Sequence, residues 1–365
     1  MKKRIIGLVC IGVMAGGLLA GCGSSSETES TSAAAEDTGS ATEEAATEST
    51  DTSNAEYTLN VQTHDPEDSA TGRFLDAWAA DIEERSEGQI DIQIFFEGTL
   101  GTATETLDMI NAGGCDIGWG LQSFFADTFP VTEVFQLPMI DISSAEQGSN
   151  ALWNFYNNYD YMADEYADYH VLLLHANCQS PISTGTKQIE SVSDFSGMQI
   201  RATSGPQTDF VKNLGATPFS CELAELSTNL KDGVCDGCIT DFHGIMSFGL
   251  DEYIDYMLDA NVGVSTYFLM MNQDSYDALP EDLQTIIDEA SEDAIAYTSE
   301  WDTVEAEQRE AYADKLYTPD EDLTAELQEA ADRTITDWIA DMDEAGYDGQ
   351  AIYDAAMAEI EAAAQ

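Results

Sequence analysis

Arg201 is the residue whose type and setting speak most directly of chemistry. It stands in Met198-Gln-Ile-Arg-Ala202, which runs into Thr203-Ser-Gly-Pro206. Met198, Ile200 and Ala202 fall on one side of a strand, so Arg201 points to the other. It lies near the strand's carboxyl end, where open α/β sheets hold ligands. A guanidinium presents a planar fork of donors that matches the two oxygens of a carboxylate, which a lysine ammonium cannot copy. Buried alone it is costly, so an anion should meet it. On the residues alone that anion is either a ligand or one of the chain's own seventy acidic side chains.

Other candidates are weaker. Cys235-Asp-Gly-Cys238 has the spacing of a redox or metal motif. It falls in a strand rather than at a helix start, so no helix dipole lowers a thiol pKa. Zinc would need two more ligands, and His243 is the sequence-near one. Small buried hydrophobes are the simpler account. His64 ends the first strand and is open between ligand contact and ordinary loop residue. Trp119 is open between ligand platform and core, with Gln122 and Phe124 beside it as polar and apolar contacts. His175 lies mid-strand and is expected to pack. No nucleophile elbow, phosphate loop or H-E-x-x-H is present, so neither an enzyme nor a cofactor or metal protein is expected.

These side chains need a scaffold, and the pattern supplies an α/β one. YTLNVQTHDP (57–66) alternates and stops at Pro66. Residues 69–87 space Phe74, Leu75, Trp78 and Ile82 for a helix. QIDIQIFF (89–96) alternates again, a second helix runs through Met109 and Ile110, and DIGWG (116–120) makes a third strand. This rhythm predicts a parallel sheet with right-handed crossovers. HVLLLHAN (170–177), MQIRA (198–202) and GVCDGCIT (233–240) are further strands. From Glu281 to about Lys315 the pattern is helical almost without a break, and two helices finish the chain.

Charge and the N-terminus narrow the setting. A formal net charge of −58 repels nucleic acid and anionic membranes, so neither is an expected partner surface. Hydrophobic content of 43% is ordinary for a globular chain, and 365 residues allow two domains. Lys2, Lys3 and Arg4 precede an apolar run, Ile5–Ala20, that ends in Leu19-Ala20-Gly21-Cys22. That is an export signal with a lipobox-like end, which implies removal of residues 1–21 and a lipid on Cys22. Residues 22–56 then hold no aromatic or large aliphatic side chain, and a disordered acidic tether is expected. The folded part would sit outside the cytoplasm, lipid-anchored at the outer face of the cytoplasmic membrane. Cys115, Cys178, Cys221, Cys235 and Cys238 remain, an odd number, so at least one thiol is left over whatever disulfides form.

Longer phrases resemble one family. THDPEDSATGRFLDAWAADIEERSEGQIDIQIFFEGTLGTATETLDMINAGGCDIGWG, FSGMQIRATSGPQTDFVKNLGATP, ELAELSTNLKDGVCDG and YFLMMNQDSYDALPEDLQTIIDEA follow, in order, four segments of the DctP-type solute-binding proteins of TRAP (tripartite ATP-independent periplasmic) transporters. The resemblance implies a two-domain, periplasmic-binding-protein-like fold with a ligand cleft between domains. Domain I would be 57–178 plus 267–306, domain II 179–266 plus 307–365, with hinges near 178, 267 and 306. It further implies capture of a small organic carboxylate by hinge closure, delivery to membrane subunits driven by an ion gradient, and a monomer. The family's signature arginine, which pairs with the ligand carboxylate, falls on Arg201.

Three positions depart from the family pattern. Pro181 stands where a second arginine is frequent, Thr240 where the family offers an asparagine amide, and Leu121 where some members place a glutamate. One arginine among apolar walls implies a monocarboxylate with an apolar body rather than a dicarboxylate. Two rival readings are a receptor that presents ligand to a sensor protein, and a thiol or metal protein built on Cys235 and Cys238.

Overall fold

Period-2 strands and amphipathic helices alternate along the chain, and they sort into two halves around two separate sheets. The computed structural model describes Thr52, residues 55–125 and residues 127–364. The expected export signal, Cys22 and most of the 22–56 tether lie outside the described residues.

The first half starts with β1 (Tyr57–Gln62), α1 (Ala70–Arg85), β2 (Ile90–Phe95), α2 (Thr106–Ala112) and β3 (Ile117–Leu121). Ser69 caps α1 by accepting from the Gly72 N–H, and Phe74, Leu75, Trp78 and Ile82 are fully buried on its inner face. Then α3 (Ala145–Asn158) and β4 (Tyr169–Ala176) complete the outward run. The second half holds β5 (Ile182–Thr184), β6 (Gln199–Arg201), α4 (Gly205–Asn213), β7 (Thr217–Phe219), α5 (Leu223–Lys231), β8 (Gly237–Ile239), α6 (Phe242–Ser247) and β9 (Tyr256–Leu258). The chain returns through β10 (Thr266–Asn272), α7 (Gln273–Asp277), α8 (Glu281–Asp293) and α9 (Ser299–Ala311), and ends with β11 (Leu316–Tyr317), α10 (Glu321–Ala345) and α11 (Gly349–Ala363).

Strand order is β2-β1-β3-β10-β4 in one sheet and β11-β9-β5-β8-β6-β7 in the other. Neither sheet is purely parallel, contrary to the β-α-β rhythm. β10 runs antiparallel to β3 and β4, and β5 runs antiparallel to β8 and β9. Each is the first strand after the chain crosses between sheets, so it enters from the opposite end. The unbroken apolar run of β4 also has a cause. Pairing shifts opposite Leu269/Met270, and Leu172 and Leu173 then both face one core while Leu174 faces the other.

Gly118 and Gly120 let the first sheet close on its neighbours. A Cβ on Gly118 would lie 2.7 Å from Ile110 and Thr106 of α2, and one on Gly120 2.6 Å from the Phe268 ring. Apolar clusters cover both faces of both sheets. Leu323 and Leu327 of α10 join the core of the second half, whereas Ile352, Ala356 and Ile360 of α11 join that of the first, beside α3. The final helix thus packs away from the domain to which residues 307–365 were expected to belong.

Three connections carry the chain between the sheets: 177–181, 259–265 and the helical run from β10 to β11; the first two are bonded to each other. Asn177 N–H donates to Ser265 O (3.1 Å), Ser180 N–H to Gly263 O (3.0 Å), and Gly263 N–H to the Gln179 side chain (2.9 Å). α9 packs against α1 and α3 of the first half and α6 of the second.

Candidate functional site

Arg201 is the last residue of β6, paired with Phe219 of β7 and Cys238 of β8. Ile200 and Ala202 face the apolar core of the second half, which leaves Arg201 on the opposite face, as alternation requires. It is only 3% exposed. Its Nε donates to Cys221 O (3.2 Å), while Nη2 is buried with no partner. Among the described residues no carboxylate pairs with it. Burial weakens its hold on the proton, yet a guanidinium stays charged at any physiological pH. A cation has been buried without a counter-ion.

The guanidinium borders a cavity of about 180 Å³ between the two halves. An apolar cavity of about 150 Å³ accepts a benzene ring, so the space suits a single ring or a branched chain. From the first half come His64 and Asp65 of the loop after β1, Leu121, Phe124 and Tyr267; from the second come Arg201, Thr240, Asp241, His243 and Phe248. His64, Phe124, Arg201 and Thr240 are thus brought together, and Leu121 adds apolar wall. Pro181 is not on this cavity.

Trp119 and Gln122 are placed elsewhere. Trp119 is 1% exposed because β3 is covered on both faces; its ring stacks on Tyr267 at 4.7 Å and its N–H donates to His175 Nε2 (2.9 Å). It supports the cavity wall from behind. Gln122 turns toward a neighbouring groove with Glu133 and Trp338, and its amide donates to Tyr166 Oη. His175 packs against Phe74, Tyr267 and Trp301, and burial pushes its pKa down to about 3, so the imidazole stays neutral.

Cys235 and Cys238 lie in an apolar cluster with Phe242 and Ile254, and burial pushes their thiols up to about 11 and 12. Protonated thiols are poor nucleophiles and poor ligands. His243, the sequence-near candidate for such a site, instead accepts from the Ala70 N–H with Nε2 (3.2 Å). It caps α1 from across the cavity. Glu133 does the converse, accepting from the Gly205 N–H of α4 (3.2 Å), and burial pushes its carboxyl up to about 7. Each half thus holds the start of a helix in the other.

Sequence reasoning missed Asp65, Asp241, His243 and Tyr267. The signal for Asp241 was local: Asp241-Phe-His-Gly244 is a helix start, and Oδ1 accepts from the Gly244 N–H (3.0 Å). Nothing local marks His243 or Tyr267, whose places depend on how the halves meet.

Residues 61–345 match the family model DctP, bacterial extracellular solute-binding protein family 7. Among solved structures, the chain is similar to a marine metagenome TRAP solute-binding protein specific for aromatic acid ligands, in complex with metahydroxyphenylacetate. Identity is 25%, TM-score 0.79, and coverage 85% of this chain and 100% of that one. It is likewise similar to a TRAP solute-binding protein of Rhodoferax ferrireducens in complex with copurified benzoate, at 26% identity, TM-score 0.79, and 84% and 98% coverage. Among curated relatives, the ectoine-binding periplasmic protein TeaA of Halomonas elongata is 24% identical over 62% of this chain and 67% of its own. The chain belongs to the DctP family of bacterial extracellular solute-binding proteins, with the two-domain α/β fold of TRAP solute-binding proteins.

Proposed function

We propose that this protein captures a small organic monocarboxylate with an apolar body in the cavity at Arg201 and delivers it to the membrane subunits of a TRAP transporter. The observation that carries the reading is Arg201 Nη2, buried and unpartnered beside the cavity between the halves. A carboxylate there restores the counter-ion that the fold withholds. His64, Phe124 and Thr240 contact the rest of the ligand, and Leu121 supplies apolar wall. Support for the ligand class comes from the two structures above at 25% and 26% identity, whose ligands are aromatic acids.

In this reading the halves open and close about the linked connections 177–181 and 259–265, and the ligand makes the closed state dominant. The protein acts as a monomeric receptor and not as an enzyme. Its lipid, on Cys22, holds it at the outer face of the cytoplasmic membrane.

The test is thermal unfolding of the purified protein across a panel of mono- and dicarboxylates, with Arg201→Ala beside it. Ligand at one hundred times its Kd adds about 2.7 kcal/mol. The expected result is a rise in midpoint with apolar monocarboxylates that is absent in the variant. A rise that persists in the variant, or one led by succinate or malate, refutes the assignment.

A further inference from the structure

Among the described residues, three that line the cavity carry a buried polar atom without a partner: Arg201 Nη2, His64 Nδ1 and Asp241 Oδ2. Asp241 is 4% exposed, and its Oδ2 has no hydrogen-bond partner among the described residues. Oδ1 is spent on the Gly244 N–H. The neighbouring Asn177 amide donates one N–H to Tyr267 Oη (3.2 Å) and accepts from the Ser265 N–H (2.7 Å); its other N–H lies near Asp241 without closing a hydrogen bond to Oδ2. His243 Nε2 is spent on Ala70. An ionised carboxylate only accepts, so what satisfies Oδ2 must bring its own O–H or N–H.

We propose that Asp241 is a specificity residue: it selects acids that carry, besides the carboxylate on Arg201, a hydroxyl or amine directed at Asp241 Oδ2. The inference rests on the carboxylate-binding reading above. A second carboxylate at this place would meet Asp241, and Asp65, Glu97 and Glu222 line the same cavity. Dicarboxylates are rejected on charge, and plain acids leave a buried acceptor unpaired. Burial raises the pKa of Asp241, and His243, the helix cap and the Asn177 amide pull it back toward the carboxylate form.

Sets of acids that share a skeleton isolate the donor. Calorimetric Kd values of the purified full chain are compared for phenylacetate, mandelate, phenylglycine, benzoylformate, and 3- and 4-hydroxyphenylacetate. The series isovalerate, 2-hydroxyisovalerate, valine and 2-ketoisovalerate repeats the comparison on a smaller body. At least one donor-bearing acid binds about tenfold or more tightly than its parent, and the keto acids bind no better than the parent. Mandelate against phenylglycine, and 2-hydroxyisovalerate against valine, tell a hydroxyl from an ammonium. In Asp241→Asn, Oδ1 keeps the helix cap while an NH2 replaces Oδ2. The donor advantage then falls below about threefold, and a keto acid overtakes its parent. An unchanged unfolding midpoint without ligand shows that the variant is folded. If acids bind through Arg201 but no donor-bearing acid exceeds its parent, this inference fails and the proposed function stands. If no acid binds, both fail. A keto acid that beats its parent in the unmutated chain means that Asp241 is protonated and donates, which overturns the assignment.

Discussion

Replacing Arg201 by methionine should make the empty protein more stable and at the same time useless. The guanidinium is almost fully enclosed, makes one hydrogen bond, and has no counter-ion among the described residues. Substituting buried charges by well-packed apolar side chains of similar volume is stabilising by about 1–4 kcal/mol in favourable cases. Unfolding entropy near about 2.1 cal/mol/K per residue gives about 0.65 kcal/mol/K for the described part of this chain, so each kcal/mol moves the midpoint by about 1.5 °C. Arg201→Met should therefore raise the ligand-free midpoint by roughly 2–6 °C. Methionine is the informative choice because alanine would leave a cavity whose cost masks the gain. Scanning calorimetry with and without a bound acid supplies the assay. The unmutated protein gains about 4 °C at one hundred times Kd, and the variant gains nothing. A variant that is less stable without ligand would refute the reasoning, because Arg201 would then have an internal partner that stabilises it.

Two further substitutions test the interior. Glu165 accepts from the Thr132 hydroxyl (2.7 Å) and from the Val131 N–H, yet burial pushes its carboxyl from 4.5 up to about 7. The folded chain therefore holds a proton that the unfolded chain releases. The stability this adds is fully present below pH 4.5 and is lost as pH rises to 7, about 3 kcal/mol in all. Glu165→Gln should remove that slope in pH-dependent denaturant melts, and an identical slope in the variant would sink the account. Gly120→Ala puts a methyl 2.6 Å from the Phe268 ring and should lower stability by about 1–3 kcal/mol. Phe268→Leu in the same chain should restore part of the loss, and equal loss in both backgrounds would show that the two positions do not collide.

How much of this was legible depended on the range over which each feature is encoded. Arg201 could be placed because Met198, Ile200 and Ala202 fix a face by alternation alone, and a face is a property of five consecutive residues. Trp119 alternates just as clearly, but β3 is covered on both sides, so alternation gave no inside or outside. The direction of β10 was hidden because a strand reads the same whichever way it pairs; only its arrival from the other sheet makes it antiparallel. Leu172 and Leu173 read as a continuous buried strand, when in fact a bulge turns both to one face. His243 and Ala70 are 173 residues apart, and no local pattern announces such a pairing.

Two of the three connections between the halves form a small ribbon of their own, joined at Asn177–Ser265 and Ser180–Gly263. Two separate cords would let one half slide, splay and rotate against the other independently. A bonded ribbon resists shear and separation and yields mainly to bending and twist. Such a joint filters motion, passing one coordinate and suppressing the rest. In the proposed function, whatever a solute does to the side chains around Arg201 leaves the cavity as a single angle. The membrane subunits proposed above could then read that angle without touching the solute, so the chemistry of the cavity can change while the message stays in the same form.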